Sequence, residues 1–237
     1  MSLAPLIDHT LLRPEATPTD VERLVAEASE HRFCSVCVYG HYVPLAARLL
    51  DATPDRADRP AERPKVCTVI GFPHGASSGA AKQAEAAQAL EDGAQELDMV
   101  LWIGGLLAGD HRAVADDIGA LAERARQGDA LLKVILETGH LSPAQLETAC
   151  HLAVDAGAHF VKTSTGFGPR GASLEDIRLM RANVPPAFGV KASGGIRTRA
   201  QALALVDAGA TRLGTSGSLA LLDEPASGDA SPSSTTP

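Results

Sequence analysis

Five lysines stand against sixteen arginines in this chain, and three of the five, Lys133, Lys162 and Lys191, fall inside short apolar runs. Arginine does the surface work, so a lysine in an apolar setting offers what a guanidinium cannot, an amine able to lose its proton. Burial or a neighbouring cation favours the neutral amine, which can then attack a carbonyl carbon and form a Schiff base. Asp8, Glu96, Asp98 and Glu137 also lie within or at the ends of such runs. Strand alternation gives Glu96 and Asp98 one shared face, and gives Lys133 and Glu137 one shared face of theirs. For any single residue the structural alternative is a buried ion pair that holds the fold in register. For the whole set, the cost of desolvating so many ions together favours a catalytic cluster. Two lysines converging on one rim would supply a nucleophile and the charge that keeps it neutral.

A second chemical signal is glycine-rich. Ser193-Gly194-Gly195 follows the run that contains Lys191, and Gly214-Thr215-Ser216-Gly217 follows the last apolar run. Glycines there let backbone amides approach an anion, which points to phosphate. Metal chemistry is not expected, because the eight histidines, His9, His74 and His140 among them, show no HxH or HxxxH spacing. His74 reads as a loop residue, and no cofactor is implied. Cys34 and Cys37 form a CxxC, but that spacing on a strand sends the two to opposite faces. All four cysteines sit in apolar patterns, as reduced thiols do.

These residues need elements to hold them. The apolar runs at 6–8, 35–38, 66–70, 96–99, 131–137, 160–162, 189–192 and 212–214 are too short for helices and read as eight strands. Helical periods lie between them. Val21, Leu24, Val25 and Ala28 form a stripe after Thr17-Pro18, and Leu146, Ala149, Cys150 and Ala153 form another after Ser142-Pro143. Gln145, and Gln201 after Thr198, are placed to close capping boxes. A helix ending in Gly-Ala followed by a strand recurs at Gly93-Ala94, Gly157-Ala158 and Gly209-Ala210. Five residues beyond each glycine stand Asp98, Lys162 and Gly214, which the repeat places at the C-terminal ends of their strands. Eight βα units in about 220 residues predict a (βα)8 TIM barrel of the α/β class, with chemistry at that rim. An open doubly wound sheet is the runner-up. The barrel domain is expected over 1–222, the charged, proline-rich run 51–64 at the lower rim, and the polar tail 223–237 as disordered.

The formal net charge is -8 and the pI about 5.4, so no overall basic field attracts nucleic acid or an anionic membrane. No run of about 18 apolar residues is present to span a bilayer, and no basic-then-apolar leader opens the chain, so a cytoplasmic protein is expected.

Taken together, the segments LIDHTLL (6–12), VIGFPHG (69–75), ELDMV (96–100), LKVILET (132–138), FVKTSTGF (160–167), VKASGGIR (190–197) and RLGTS (212–216) resemble the deoxyribose-phosphate aldolase family. The resemblance runs from about residue 5 to 222, and KTSTGF is its most specific part. It implies reversible cleavage of 2-deoxy-D-ribose 5-phosphate to acetaldehyde and D-glyceraldehyde 3-phosphate, with small-molecule partners only and a possible homodimer. By the resemblance, Lys162 is the Schiff-base lysine, Lys191 the second lysine and Asp98 the carboxylate that works with it. Gly194, Gly195, Gly214 and Ser216 fall on the phosphate loops, Thr165 and Gly166 on the substrate-binding KTSTGF loop, and Asp8, Thr10 and Cys37 on pocket positions. Gly217 departs from members with a second serine there, and the tail lacks the terminal tyrosine some members carry. Two other functions stand beside this one: a metal-independent sugar-phosphate isomerase or epimerase on the same barrel, and a sugar-phosphate binding protein without catalysis.

Overall fold

The computed structural model describes residues 2–52 and 63–222. Eight parallel strands, β1 (Ile7–Leu11), β2 (Ser35–Val38), β3 (Lys65–Ile70), β4 (Glu96–Val100), β5 (Leu131–Ile135), β6 (Phe160–Lys162), β7 (Gly189–Ser193) and β8 (Arg212–Thr215), pair in chain order and close on themselves. Closure comes from β1 against β8, where Ile7, Asp8 and His9 register with Leu213, Gly214 and Thr215. That pairing excludes the open doubly wound sheet.

Two strand ends differ from the sequence reading by more than one residue. β1 runs on to Leu11, because Thr10 and Leu11 find partners in Cys37 and Val38. β5 stops at Ile135, and Glu137 takes a left-handed backbone (φ 53°). Alternation therefore does not extend to Glu137, which leaves the face shared with Lys133 and turns toward the loop after β6 instead.

Around the barrel lie α1 (Pro18–His31), α2 (Val43–Ala52), α3 (Gly79–Glu91), α4 (Ile103–Leu107), α5 (His111–Gln127), α6 (Pro143–Asp155), α7 (Leu174–Ala182) and α8 (Arg199–Asp207). The capping boxes at Ser142/Gln145 and Thr198/Gln201 both form, and Thr17 makes a third with Asp20. Each box satisfies amides that the first helical turn leaves without partners, which fixes where the helix begins. Gly93, Gly157 and Gly209 all have positive φ and end their helices as the Gly-Ala repeat predicts. Among the described residues β8 is followed only by a 3-10 turn, Leu219–Leu221. Most of the run 51–64, and all of the tail 223–237, lie outside the described residues.

The main apolar core is a sleeve between strands and helices. Leu97, Met99, Val134, Val161, Val190 and Leu213 contribute to it from the strands and Val21, Ile118, Leu146 and Ile177 from the helices. A small second cluster, Leu12, Cys37, Cys67 and Val69, packs under Tyr39 and Phe72. With oil confined to the sleeve and this patch, the inward strand positions hold the ions.

One buried lysine lies outside the barrel and is not among the three that the apolar runs single out. Lys82 of α3 is fully buried and donates to the Val100 carbonyl (3.0 Å) and to Asp117 Oδ2 of α5 (2.6 Å). Replacing Lys82 with Met strands the Asp117 carboxylate in a nearly dry site, so a loss of about 3 kcal/mol is expected. Urea unfolding of Lys82→Met measures it, and a change within about 0.5 kcal/mol, the range of ordinary surface substitutions, would show the pair to be of no structural weight.

Candidate active site

The middle of the barrel holds a closed set of ionic contacts. Asp98 of β4 accepts from Lys162 of β6 (2.8 Å) and Lys191 of β7 (2.7 Å) on Oδ2, and from Lys133 of β5 (2.7 Å) on Oδ1. Asp8 of β1 faces Lys191 through Oδ2 (2.5 Å) and takes Arg212 and Ser35 on Oδ1 (2.7 Å each). Glu96 binds Lys133 (2.6 Å) and Arg212 (3.0 Å). Every one of these side chains is buried.

Register explains the convergence. Asp98 pairs with Lys133, which pairs with Phe160, so Lys162 stands two residues higher up the barrel. Asp98 is thus one layer below the rim rather than on it, and the length of the lysine chain closes the gap. Lys162 and Lys191 are direct cross-strand neighbours. Glu96 and Asp98 share the inward face, as alternation predicts, because both reach Lys133.

Charge bookkeeping distinguishes the lysines. Three carboxylates, Asp8, Glu96 and Asp98, face four basic groups, Lys133, Lys162, Lys191 and Arg212. The cluster is neutral with three of the four charged. Lys133, Lys191 and Arg212 each meet at least two carboxylates, whereas Lys162 meets only Asp98 and is the one member at the cleft wall. Burial pushes Asp98 up, but Lys133, Lys162 and Lys191 outweigh it and hold the carboxyl well below the usual range. Burial works against the Lys191 ammonium too, yet Asp8 and Asp98 raise it above the ordinary lysine value. Lys191 is thereby kept as the permanent cation beside Lys162.

Above the cluster opens a cleft of about 410 Å³ whose wall includes Thr10, Lys162, Thr165, Gly166, Gly194, Gly195, Gly214 and Ser216. Asp8, Asp98 and Lys191 lie beneath its floor. Cys37 does not reach the wall: it is fully buried, and its sulphur lies within 4.8 Å of those of Cys67 and Asp98's carboxylate oxygen. Its thiol neighbour is Cys67 on the next strand, not Cys34 of the CxxC. These three donors could hold a metal ion by distance alone, but both Asp98 oxygens already accept from ammonium groups, which a divalent cation would have to displace.

Gly166, Gly194 and Gly195 all have positive φ, and the space beside Gly166 and Gly195 is open. Two successive left-handed glycines turn their amides into a concave site of the kind that takes anions. Gly214 has a different cause, since a Cβ there would lie 2.9 Å from Lys191 Cε. Gly217 has room for a side chain, its nearest neighbour being Thr215 Oγ1 at 3.8 Å.

Several contributors were missed from sequence. Arg13 and Arg197 line the cleft, Arg13 directly after LIDHTLL and Arg197 as the last residue of VKASGGIR, and the sequence reading gave neither a role. Arg212 opens β8, where an arginine beginning a strand gives no hint that it points inward beneath Asp8 and over the Phe160 ring (5.3 Å). Glu137 also has a part: its carboxylate accepts from the Thr165 amide (3.2 Å) and hydroxyl, and Thr165 Oγ1 in turn accepts from the Phe167 amide (3.0 Å). That chain of bonds shapes the loop immediately after Lys162.

Fold and site together define a (βα)8 barrel enzyme of the lysine-aldolase kind. The sequence profile of the DeoC/LacD aldolase family matches residues 3–224, and the chain belongs to that family. It is 50% identical over 222 residues to the deoxyribose-phosphate aldolase of Halalkalibacterium halodurans, covering 94% of this chain and 95% of that one. Among solved structures, a putative deoxyribose-phosphate aldolase from Coccidioides immitis superposes with TM-score 0.86 at 41% identity, over 93% of this chain and 84% of that one. The deoxyribose phosphate aldolase of Aeropyrum pernix, described as a unique tetramer, gives 0.83 at 36% identity, over 93% and 89%.

Asp8 and Asp98 are both held below the ordinary carboxyl range in the folded chain. Unfolding in acid therefore takes up protons that the native cluster refuses. Their contribution is complete above the unfolded value of about 3.9 and is lost as the pH falls below it. The urea midpoint should drop steeply below about pH 4, beneath the shallower loss that the lowered His9 pKa brings below about pH 6.5; a midpoint unmoved between pH 5 and pH 3 would show the cluster not to be ionised.

Proposed function

We propose that the chain catalyses the reversible cleavage of 2-deoxy-D-ribose 5-phosphate to acetaldehyde and D-glyceraldehyde 3-phosphate, with Lys162 as the imine-forming nucleophile. One observation carries this reading. Among the described residues lining the cleft there is no carboxylate and no histidine, and Lys162 is the sole side chain there with an amine to offer. An enolising isomerase needs a base in direct contact with the substrate C–H, whereas the carboxylates nearby lie below the floor, within reach of the cleft only through an intervening water.

Lys162 adds through Nζ to C1 of the open-chain aldehyde. The carbinolamine loses its hydroxyl as water, and the resulting iminium withdraws electrons from the adjacent bond. Acetaldehyde contains C1 and C2, so the bond that breaks is C2–C3. The C3 hydroxyl gives up its proton, C3 becomes the aldehyde carbon of glyceraldehyde 3-phosphate, and the C2–C3 electron pair moves to form an enamine on Lys162. Protonation at C2 and addition of water to the iminium carbon release acetaldehyde and restore the amine. Asp98 and Lys191 sit 2.8 Å and 2.7 Å along one chain of contacts from Lys162 Nζ, placed to pass these protons through a bound water.

The phosphate is assigned to the amides around Gly194 and Gly195 and to Ser216, with Arg197 and Arg13 also lining the cleft. Thr10, Thr165 and Gly166 face the sugar from the other strands. Asp8 acts from below through Lys191, and Cys37 acts only as packing behind Asp98. The barrel is the whole catalytic unit on this reading. A homodimer and a cytoplasmic location belong to it as well. The location is supported by four free thiols, and among the described residues no helix is long and apolar enough to cross a membrane.

Borohydride reduction in the presence of acetaldehyde should leave one ethyl group on Lys162, read by peptide mass spectrometry; turnover with no adduct there would remove Lys162 from its role. Lys162→Leu should abolish cleavage with the fold intact. Lys191→Met should lower kcat by about 10² to 10⁴, the range of a general acid or base. A kcat within about twofold of the native value would exclude Lys191 from proton transfer.

A further inference from the structure

β1 has two working faces. Asp8 and Thr10 point into the barrel toward the ion cluster and the cleft, and His9 between them points outward. His9 is buried, and both its ring nitrogens are engaged: Nε2 with Glu27 of α1 (2.7 Å), Nδ1 with the Ser218 hydroxyl (2.8 Å). Facing a carboxylate, Nε2 is the nitrogen that carries the proton. Nδ1 of the neutral ring then accepts from Ser218 Oγ, and burial, outweighing Glu27, lowers the His9 pKa and favours that neutral ring. The arrangement has the connectivity of a Ser-His-acid triad, but Ser218 is only 1% exposed, so no substrate carbonyl can reach its hydroxyl. Its use is to hold something in place.

What it holds is the loop after β8. Thr215 is pinned on one side, donating from Oγ1 to the Ile196 carbonyl (2.9 Å) and accepting from the Gly217 amide (3.0 Å). Ser218 is pinned on the other side by His9, and its own residue opens the 3-10 turn Leu219–Leu221. Between these anchors Ser216 is exposed at the cleft, next to Gly217, which has no side chain to pack. Ser218 Oγ also lies 3.2 Å from the Thr215 carbonyl, and the turn that follows is held by Arg199 on the Leu221 carbonyl (3.0 Å), so what the His9 contact adds is the one side-chain tie from this segment to β1.

We propose that His9, oriented by Glu27, is a positioning residue for the phosphate group of the substrate: through Ser218 it fixes the Ser216-Gly217 amides over the cleft. This rests on the assignment of the phosphate to that loop. The contact acts on affinity for the phosphorylated end and leaves the imine chemistry at Lys162 alone, because His9 touches no member of the ion cluster.

Side-chain amides separate the two ring nitrogens. Asn at position 9 places an acceptor where Nδ1 was and keeps the Ser218 bond, whereas Gln places a donor where Nε2 was and keeps only Glu27. Steady-state kinetics of the full chain with 2-deoxyribose 5-phosphate and with unphosphorylated 2-deoxyribose read the consequence. Ser218→Ala and His9→Gln should raise KM for the phosphorylated sugar by about tenfold, the scale of one hydrogen bond, with kcat within about twofold. Neither should change kcat/KM for the unphosphorylated sugar, and His9→Asn should behave like the native chain. Should the two sugars suffer equally, or kcat fall instead, or Asn and Gln prove equivalent, the positioning role is overturned. Thermal unfolding of Ser218→Ala, a small change, guards against reading a folding defect as a binding one. Native enzyme with the same KM for both sugars would overturn the phosphate assignment and this proposal together, whereas native discrimination left intact by Ser218→Ala overturns the positioning role alone.

Discussion

A single carboxylate, that of Asp98, sits in contact with three lysine amines in the centre of a barrel that admits no bulk water to it. An ion in such a place is stable only if its surroundings are arranged to the same standard, since desolvation costs several kcal/mol per charge and is repaid only by good geometry. The remainder of the interior follows from that demand. Asp8 and Glu96 are needed so that Lys133, Lys191 and Arg212 are not left in excess, and Ser35 occupies the remaining Asp8 lone pair. Once those three cations and three anions cancel, the fourth base is the one whose charge the cluster does not require. The proposed role of Lys162 rests in this sense on the balance and not on the residue alone.

The backbone had to accommodate this. Gly214 is glycine because the Lys191 stem passes over it, and Gly189 because a Cβ would meet the Phe160 ring at 2.1 Å, the same ring that lies beside Arg212. Both positions serve the passage of a charged or aromatic side chain through the barrel, where a glycine in a strand otherwise only weakens it. The apolar energy that stabilises the fold is moved outward into the sleeve between strands and helices. A catalytic interior and a stable protein are thus compatible because they occupy different layers.

The cleft above joins two chemistries that need different things. The proposed carbonyl addition needs an amine at the cleft with proton-carrying groups behind it, and the strand register sets Lys162 beside Lys191 and above Asp98. Anion binding needs amides facing solvent, which the left-handed glycines at 194 and 195 supply at the rim. Rigid strands carry the first and loops the second, so the loops require tethers of their own. Glu137 to Thr165 and His9 to Ser218 are such tethers.

Much of this was legible in the chain. The strand and helix alternation, the capping boxes and the Gly-Ala repeat are local patterns, set by contacts between residues within a turn of one another, and they survived with shifts of a few residues. The scarcity of lysine and its placement in apolar runs singled out Lys133, Lys162 and Lys191, all three of which are buried in the barrel around Asp98. What local pattern could not carry was height along the barrel and partnership across it. Asp98 lies one layer below the position its repeat suggested, Cys37 faces Cys67 and not the cleft, and Glu137 abandons its strand. Lys82, Arg212 and the outward-facing His9 gave no signal at all, since the meaning of each depends on a residue 18 to 209 positions away. Sequence periodicity determines which face a side chain occupies, but only closure of the barrel, through the stagger between neighbouring strands, decides which charges meet.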